Sequence, residues 1–237
     1  MTHTLLVASL LLFVSPAYAD LRVTTHVDVR RVEGSGPGKG PDIAALMQML
    51  MPPGDAVTFV GTDAIRIEQS REGKTVIILL RSDGQMILDP DARTYTRVPQ
   101  LGNVLKEAAA QPPPTFRRTG DFAMIHGVRA ERVEVTMLVT LPVIPPPGFP
   151  TVLTMTGEIW LSDAFKTYSP GLQKALGLAG RLPTTGLEGM VLRQILRSAE
   201  FGYEVESTVT DLSDAPIAPA MFSIPEGYRE ISGIGLR

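Results

Sequence analysis

The hydrophobic pattern of the chain has a period of two over most of its length, and it is clearest in one long hairpin. Between Gly127 and Leu141, the residues Val133, Val135, Met137, Val139 and Leu141 fall on one side of an extended chain, with Arg132, Glu134, Thr136 and Thr140 on the other. Between Thr151 and Asp163, Leu153, Met155, Ile159 and Leu161 share one side, and Thr154, Thr156 and Glu158 share the other. Alternation of this kind predicts strands with one buried face and one face nearer water. Arms this long predict a large, curved sheet. Val128 and Ala130 are out of phase with Val133 and Val135, which predicts a bulge near Glu131-Arg132.

The same period recurs along the chain. Leu21–Arg30 alternates cleanly and predicts a first strand. Val57–Gly61, Ala64–Gln69, Thr75–Arg81, Gln85–Leu88 and Thr94–Val98 follow, separated by short turns such as Ser82–Gly84 and Asp89–Ala92. Spacing this short predicts an antiparallel meander, not parallel strands with crossover helices. Val76–Leu80 is apolar on both faces, so a central place is expected for it. Thr115–Gly120 is read as a lead into the long hairpin. Leu187–Ala199 and Phe201–Leu212 predict a final hairpin, and Met221–Ile231 closes the domain.

Helical spacing appears in three places. Pro41–Met51 carries an apolar stripe of Ile43, Leu46, Met47 and Leu50. In Pro99–Gln111, Leu101, Val104, Leu105 and Ala108 share a face, and Pro112–Pro114 ends the run. Ser162–Arg181 holds a short helix with Ser169 as N-cap and Pro170 after it. The linker Leu141–Pro150 (LPVIPPPGFP) is too rich in proline to pair, and it is expected to project.

The N-terminus changes the picture of where the protein works. Leu5–Val14 is an apolar run of about ten residues, the length of a signal-peptide core and well short of the roughly 20 that span a bilayer. Pro16 breaks it, and Ala17-Tyr18-Ala19 has the small-x-small form that signal peptidase cuts. Residues 1–19 are therefore expected to be removed between Ala19 and Asp20, leaving residues 20–237 as a single exported, periplasmic domain that does not span the membrane. No cysteine occurs in the chain, so no disulfide or lipidated cysteine is available to it. The formal net charge is −3, which argues against nucleic acid as a partner.

Catalytic chemistry is not evident. Glu33–Gly40 (EGSGPGKG) lacks the spacing of a phosphate loop, and no Ser or Thr follows Lys39. Met47, Met49 and Met51 alternate, but on a helix Met49 points away from the other two, so their sulfurs do not converge on a copper ion. His26 and His126 are isolated in sequence, no metal-ligand spacing occurs, and no G-x-S-x-G is present. Asp89 and Asp91 flank Pro90 in what reads as a solvated turn. Trp160 reads as packing rather than as a stacking platform.

Four segments together resemble a known family. Leu88–Pro99 (LDPDARTYTRVP) sets an acidic turn before a Tyr-bearing strand, and Thr119–Val135 (TGDFAMIHGVRAERVEV) places Gly127 ahead of a long strand. Gly157–Asp163 (GEIWLSD) and Phe222–Ile231 (FSIPEGYREI) complete the set. In this order they resemble an uncharacterised family of exported bacterial proteins related to the LolA/LolB lipoprotein-localisation fold, over roughly Leu21–Ile231. The resemblance implies an α+β fold: a curved antiparallel sheet forming a half-open β-barrel packed over a few short helices. In the carriers of that fold, the apolar concave side holds acyl chains.

The expectation that follows is a soluble binding or carrier protein for an apolar ligand such as a lipid or an acylated protein, with no cofactor, no metal and no enzymatic activity. Its expected apolar lining is Met47, Leu50, Leu101, Leu105, Val135, Met137, Val139, Leu153, Met155 and Ile159. Met suits such a lining because its side chain is flexible and polarizable. The alternative is a cell-envelope protein-interaction or sensor module, working through the Pro-rich loop or a sheet edge without a small-molecule ligand.

Overall fold

The structure is a computed structural model describing residues 20–32, 53–61, 64–71, 73–81, 84–98, 114–140, 152–164, 189–198 and 202–231. The expected helices Pro41–Met51 and Pro99–Gln111, nearly all of the helical segment Ser162–Arg181, and the linker Leu141–Pro150 lie outside the described residues. The described strands are β1 (Leu21–Arg31), β2 (Gly54–Val60), β3 (Ala64–Arg71), β4 (Lys74–Arg81), β5 (Gly84–Asp89), β6 (Thr94–Val98), β7 (Thr115–Ile125), β8 (Val128–Thr140), β9 (Val152–Ser162), β10 (Met190–Ser198), β11 (Tyr203–Ser213) and β12 (Arg229–Glu230).

All twelve belong to one open sheet in the order β12-β6-β5-β4-β3-β2-β1-β11-β10-β9-β8-β7. The N-terminal strand lies in the middle, pairing with β2 on one side and β11 on the other, so it joins the β2–β6 meander to the two C-terminal hairpins. Neighbours are antiparallel except at one edge, where β12 runs parallel to β6 through Arg229↔Thr94 and Glu230↔Tyr95. The sheet is thus antiparallel, as expected, but for this two-residue edge strand. The last segment reaches the free edge of β6 in the same direction, and its Arg229 and Ile231 N–H groups donate to the carbonyls of Arg93 and Tyr95.

Cα partners on antiparallel neighbours share a face. Leu21, Val60, Ile65 and Leu80 are thus a row across β1 to β4, and they are buried together with Val23, Ile67 and Val209. On the opposite face of β4 and β5, Ile77, Leu79, Met86 and Leu88 are buried with Tyr95 and with Ile224 and Tyr228 of the C-terminal segment. β4 is central and buried on both faces, as its unbroken apolar run requires. The C-terminal segment is held there by a 3-10 turn, Pro219–Phe222. Arg66 donates to the Met221 carbonyl at 3.1 Å, and the Ile217 N–H donates to Asp20 Oδ2 at 2.7 Å.

Two expectations for the long hairpin are corrected. Thr115–Gly120 is not a lead-in but the first half of β7, an eleven-residue strand paired along β8. The register shift falls opposite Glu131–Val133, where a bulge is expected, but the extra residues are in β7, between Arg118 and Phe122, and the β8–β9 register runs unbroken through Glu131 and Arg132. The phase change in β8 has a different cause. Val133, Val135 and Met137 are buried in one cluster, whereas Ala130 and Val128 belong to the cluster around Leu21 and Leu192. A second register shift, between Val191 and Arg193 of β10, lets the two ends of this block turn opposite sides inward.

Candidate functional site

The site is the apolar side of β8 and β9. Val133 faces Ile159, Val135 faces Gly157, and Met137 faces Met155 in register. Leu196 of β10 is the Cα partner of Gly157 on its other side. Val133, Val135, Met137, Met155, Ile159, Leu161 and Leu196 are all buried in one cluster, with Phe116 and Val191 packed against it. Full burial of such a side chain is worth about 1.5–3 kcal/mol, so the stripe is also a large part of what holds β7–β10 together.

Of the expected lining, the structure brings together Val135, Met137, Met155 and Ile159. Val139 and Leu153 are Cα partners one step further along the same ladder. Met47, Leu50, Leu101, Leu105 and Ala19 lie outside the described residues. Val133, Leu161, Leu196, Val191 and Phe116 belong to the cluster but not to the expected lining. Val133 and Leu161 are legible from alternation alone; Leu196 and Phe116 need the cross-strand register.

The opposite face is charged. Arg30 of β1 and Arg197 of β10 both hydrogen-bond the carboxylate of Glu204 on β11, which lies between them at 4% exposure. Arg193 donates twice to Glu206 Oε1, at 2.9 and 2.7 Å, and its guanidinium carbon stands 4.9 Å from the centre of the Trp160 ring. Arg132 pairs with Glu158 and Asp121, Arg117 with Glu134, and Arg118 with Glu131. Burial pushes the Glu204 carboxyl up, but the hydrogen bonds and charges of Arg30 and Arg197 outweigh it and hold it below the ordinary value. Arg30 is raised in turn, first by its hydrogen bond to Glu204 and then by that group's charge.

This ladder ties neighbouring strands. His26 is exposed and its Nδ1 lies 2.7 Å from Asp55 Oδ1. His126 occupies a turn at φ 49°. Asp89 accepts from the Ala92 N–H at 2.9 Å, an ordinary turn contact. Trp160 packs partly buried against the cluster around Leu21. Among the described residues, no three His, Cys, Asp or Glu side chains gather where a metal ion could sit, and no helix is long and apolar enough to cross a membrane.

No family model and no curated protein matches the sequence. Solved structures do. The chain is similar to an uncharacterized conserved protein from Thermus thermophilus, at 8% identity and a TM-score of 0.47 over 91% of each chain. It is similar to the Mycobacterium tuberculosis lipoprotein LppX, at 10% identity and a TM-score of 0.40, over 85% of this chain and 89% of that one. A provisionally assigned outer membrane lipoprotein-sorting protein domain from Vibrio parahaemolyticus matches at 11% identity and a TM-score of 0.31, over 86% and 89%. The last is the kind of protein that the four sequence segments resemble. At these scores the likenesses carry no argument about function.

Proposed function

We propose that the chain is an exported periplasmic carrier that holds an apolar chain, a lipid or the acyl group of a modified protein, along the inner side of β8–β10. The observation that carries this reading is the stripe Val133, Val135, Met137, Met155 and Ile159, continuous along two paired strands of an open sheet. Each methylene of an acyl chain moved from water to such a surface contributes about 0.8 kcal/mol. Met137 and Met155 can change rotamer to lie along a flexible chain where branched residues could not.

In this reading the sheet curls into a half-open barrel. Residues 41–51 and 99–111 lie as helices on its inner side and add Met47, Leu50, Leu101 and Leu105 to the lining, beside Val139 and Leu153. Residues 1–19 are removed after Ala19. The protein acts by binding, not by turnover, and needs no cofactor.

The test is native mass spectrometry of residues 20–237, together with displacement of a fluorescent fatty acid from the delipidated protein. A bound lipid mass and saturable displacement support the carrier. The absence of both, on folded protein, overturns it.

A further inference from the structure

The β7–β8 hairpin has two sides of different character. Ile125 pairs with Val128, and Ala123 with Ala130; Ile125, Val128 and Ala130 pack on the main apolar cluster. The other side carries Phe122, Met124, Arg129 and Glu131. On it, Phe122 is 51% exposed and Met124 67% exposed. The inner side thus fixes the hairpin to the body of the protein, and the outer side presents two large apolar groups to the exterior. The tip is a two-residue turn with His126 and Gly127 both at positive φ, 49° and 73°, which suits a tight hairpin. β7 is also the last strand of the sheet order, so among the described residues no strand flanks it.

Charge also distinguishes this tip. Among the described residues of β7–β11, Arg117, Arg118, Arg132, Arg193 and Arg197 each hold a carboxylate. Arg129 holds none; its guanidinium carbon lies 3.6 Å from the centre of the Phe122 ring. Asp121 and Glu131, the acids that flank this stretch in the sequence, are engaged by Arg132 and Arg118. Residues 122–130 contain no Asp or Glu at all. The tip therefore exposes two large apolar side chains, with a cation that no described carboxylate neutralises stacked on its aromatic ring.

We propose that this hairpin tip docks on the surface of an anionic phospholipid bilayer. Phe122 and Met124 enter the boundary between headgroups and acyl chains, and Arg129 meets a lipid phosphate. Phe and other large apolar side chains reach the boundary between headgroups and acyl chains, and a cation beside them gains from the negative surface potential. Arg129 holds no carboxylate among the described residues, so its charge complements a lipid phosphate, and the exposed Phe122 and Met124 beside it suit the apolar boundary of a bilayer. The proposal stands on the hairpin alone and does not depend on what the inner face of the sheet binds.

The test is co-sedimentation of residues 20–237 with vesicles of phosphatidylglycerol and phosphatidylcholine, against vesicles of phosphatidylcholine alone. Binding is expected to favour the anionic vesicles by about fivefold, the effect of one cation near the surface. Phe122→Ser with Met124→Ser is expected to weaken it at least about tenfold. Arg129→Gln is expected to remove the preference for phosphatidylglycerol. Met124→Asp, at the more exposed position, must give the same loss as the double variant if that variant is unfolded by circular dichroism. The proposal fails if the folded protein binds neither vesicle, or if binding survives these substitutions. It also fails if they abolish only a concentration-dependent dimer in sedimentation velocity, which would make a second copy the occupant.

Discussion

Gly157 of β9 lies so close to Ile195 of β10 that a Cβ on it would stand 1.9 Å from the Ile195 carbonyl oxygen and 2.9 Å from the carbonyl carbon. Both atoms are backbone, so no side-chain rotation relieves the overlap. The glycine sits between Val135 and Leu196 in register, in the middle of the apolar stripe. Gly157→Ala must separate two paired strands. We expect a loss of about 2–4 kcal/mol, read as a lower urea midpoint, with the larger Gly157→Val worse. An unchanged midpoint would show that β9 and β10 do not approach as described.

Glu204 gives a pH prediction. Its folded carboxyl is held below the ordinary value, so its stabilising effect is complete above the unfolded carboxylate value of about 4.3 and is lost as pH falls through the lower folded value. Glu204→Gln removes that contribution and leaves two arginines without their acceptor. Because Arg30 and Arg197 are both more than half exposed, water compensates part of the loss. The expected cost at neutral pH is about 1–3 kcal/mol. Urea midpoints measured from pH 7 downward should converge for the two proteins as pH falls below about 4.3 and through the lower folded value. Parallel curves would contradict the assignment.

The C-terminal segment is expected to be a clamp on β3–β6. The Phe222 ring covers Gly61 so closely that a Cβ there would meet Cζ at 2.9 Å, and Ile224 and Tyr228 cover Leu79 and Leu88. Phe222→Ala should lower stability by about 2 kcal/mol, less than a fully buried ring because Phe222 is only partly enclosed. It should also speed proteolysis after Ser213. Unaltered proteolysis would show that the segment is held without the ring.

Asp20 ties the start of β1 to the C-terminal segment. Its carboxylate accepts from the Ile217 N–H, so Asp20→Ala leaves that donor without its acceptor and should cost about 1 kcal/mol in thermal stability. No change in melting temperature would mean that the two segments are not joined by this contact.

The strands were legible in the sequence because a period of two survives wherever one face is buried. Thr94–Val98 and the β10–β11 hairpin lie close to where alternation puts them. β7 was only half legible: Thr115–Gly120 reads as a lead into the hairpin because Thr119-Gly120-Asp121 interrupts the alternation, and Gly120 takes a positive φ of 77° inside a register shift. The charged ladder was legible only as a polar face. That Arg197 meets Glu204, and not a neighbour, depends on pairing Leu196 with Val205, and a slip of register would change every partner. The site was legible to the same extent: alternation chose Val135, Met137, Met155 and Ile159, but the contribution of Leu196 and Phe116 belongs to tertiary pairing.

The proposed carrier role rests on an acyl chain lying along the inner side of β8–β10, and photo-crosslinking tests this most directly. The folded protein is loaded with a fatty acid bearing a diazirine near its terminal methyl, irradiated, digested and mapped by mass spectrometry. The account predicts adducts on Val133, Val135, Met137, Met155 or Ile159, competed away by unlabelled fatty acid. Adducts confined to the charged side, around Trp160, Arg193 and Glu206, or labelling that unlabelled fatty acid does not reduce, would contradict it.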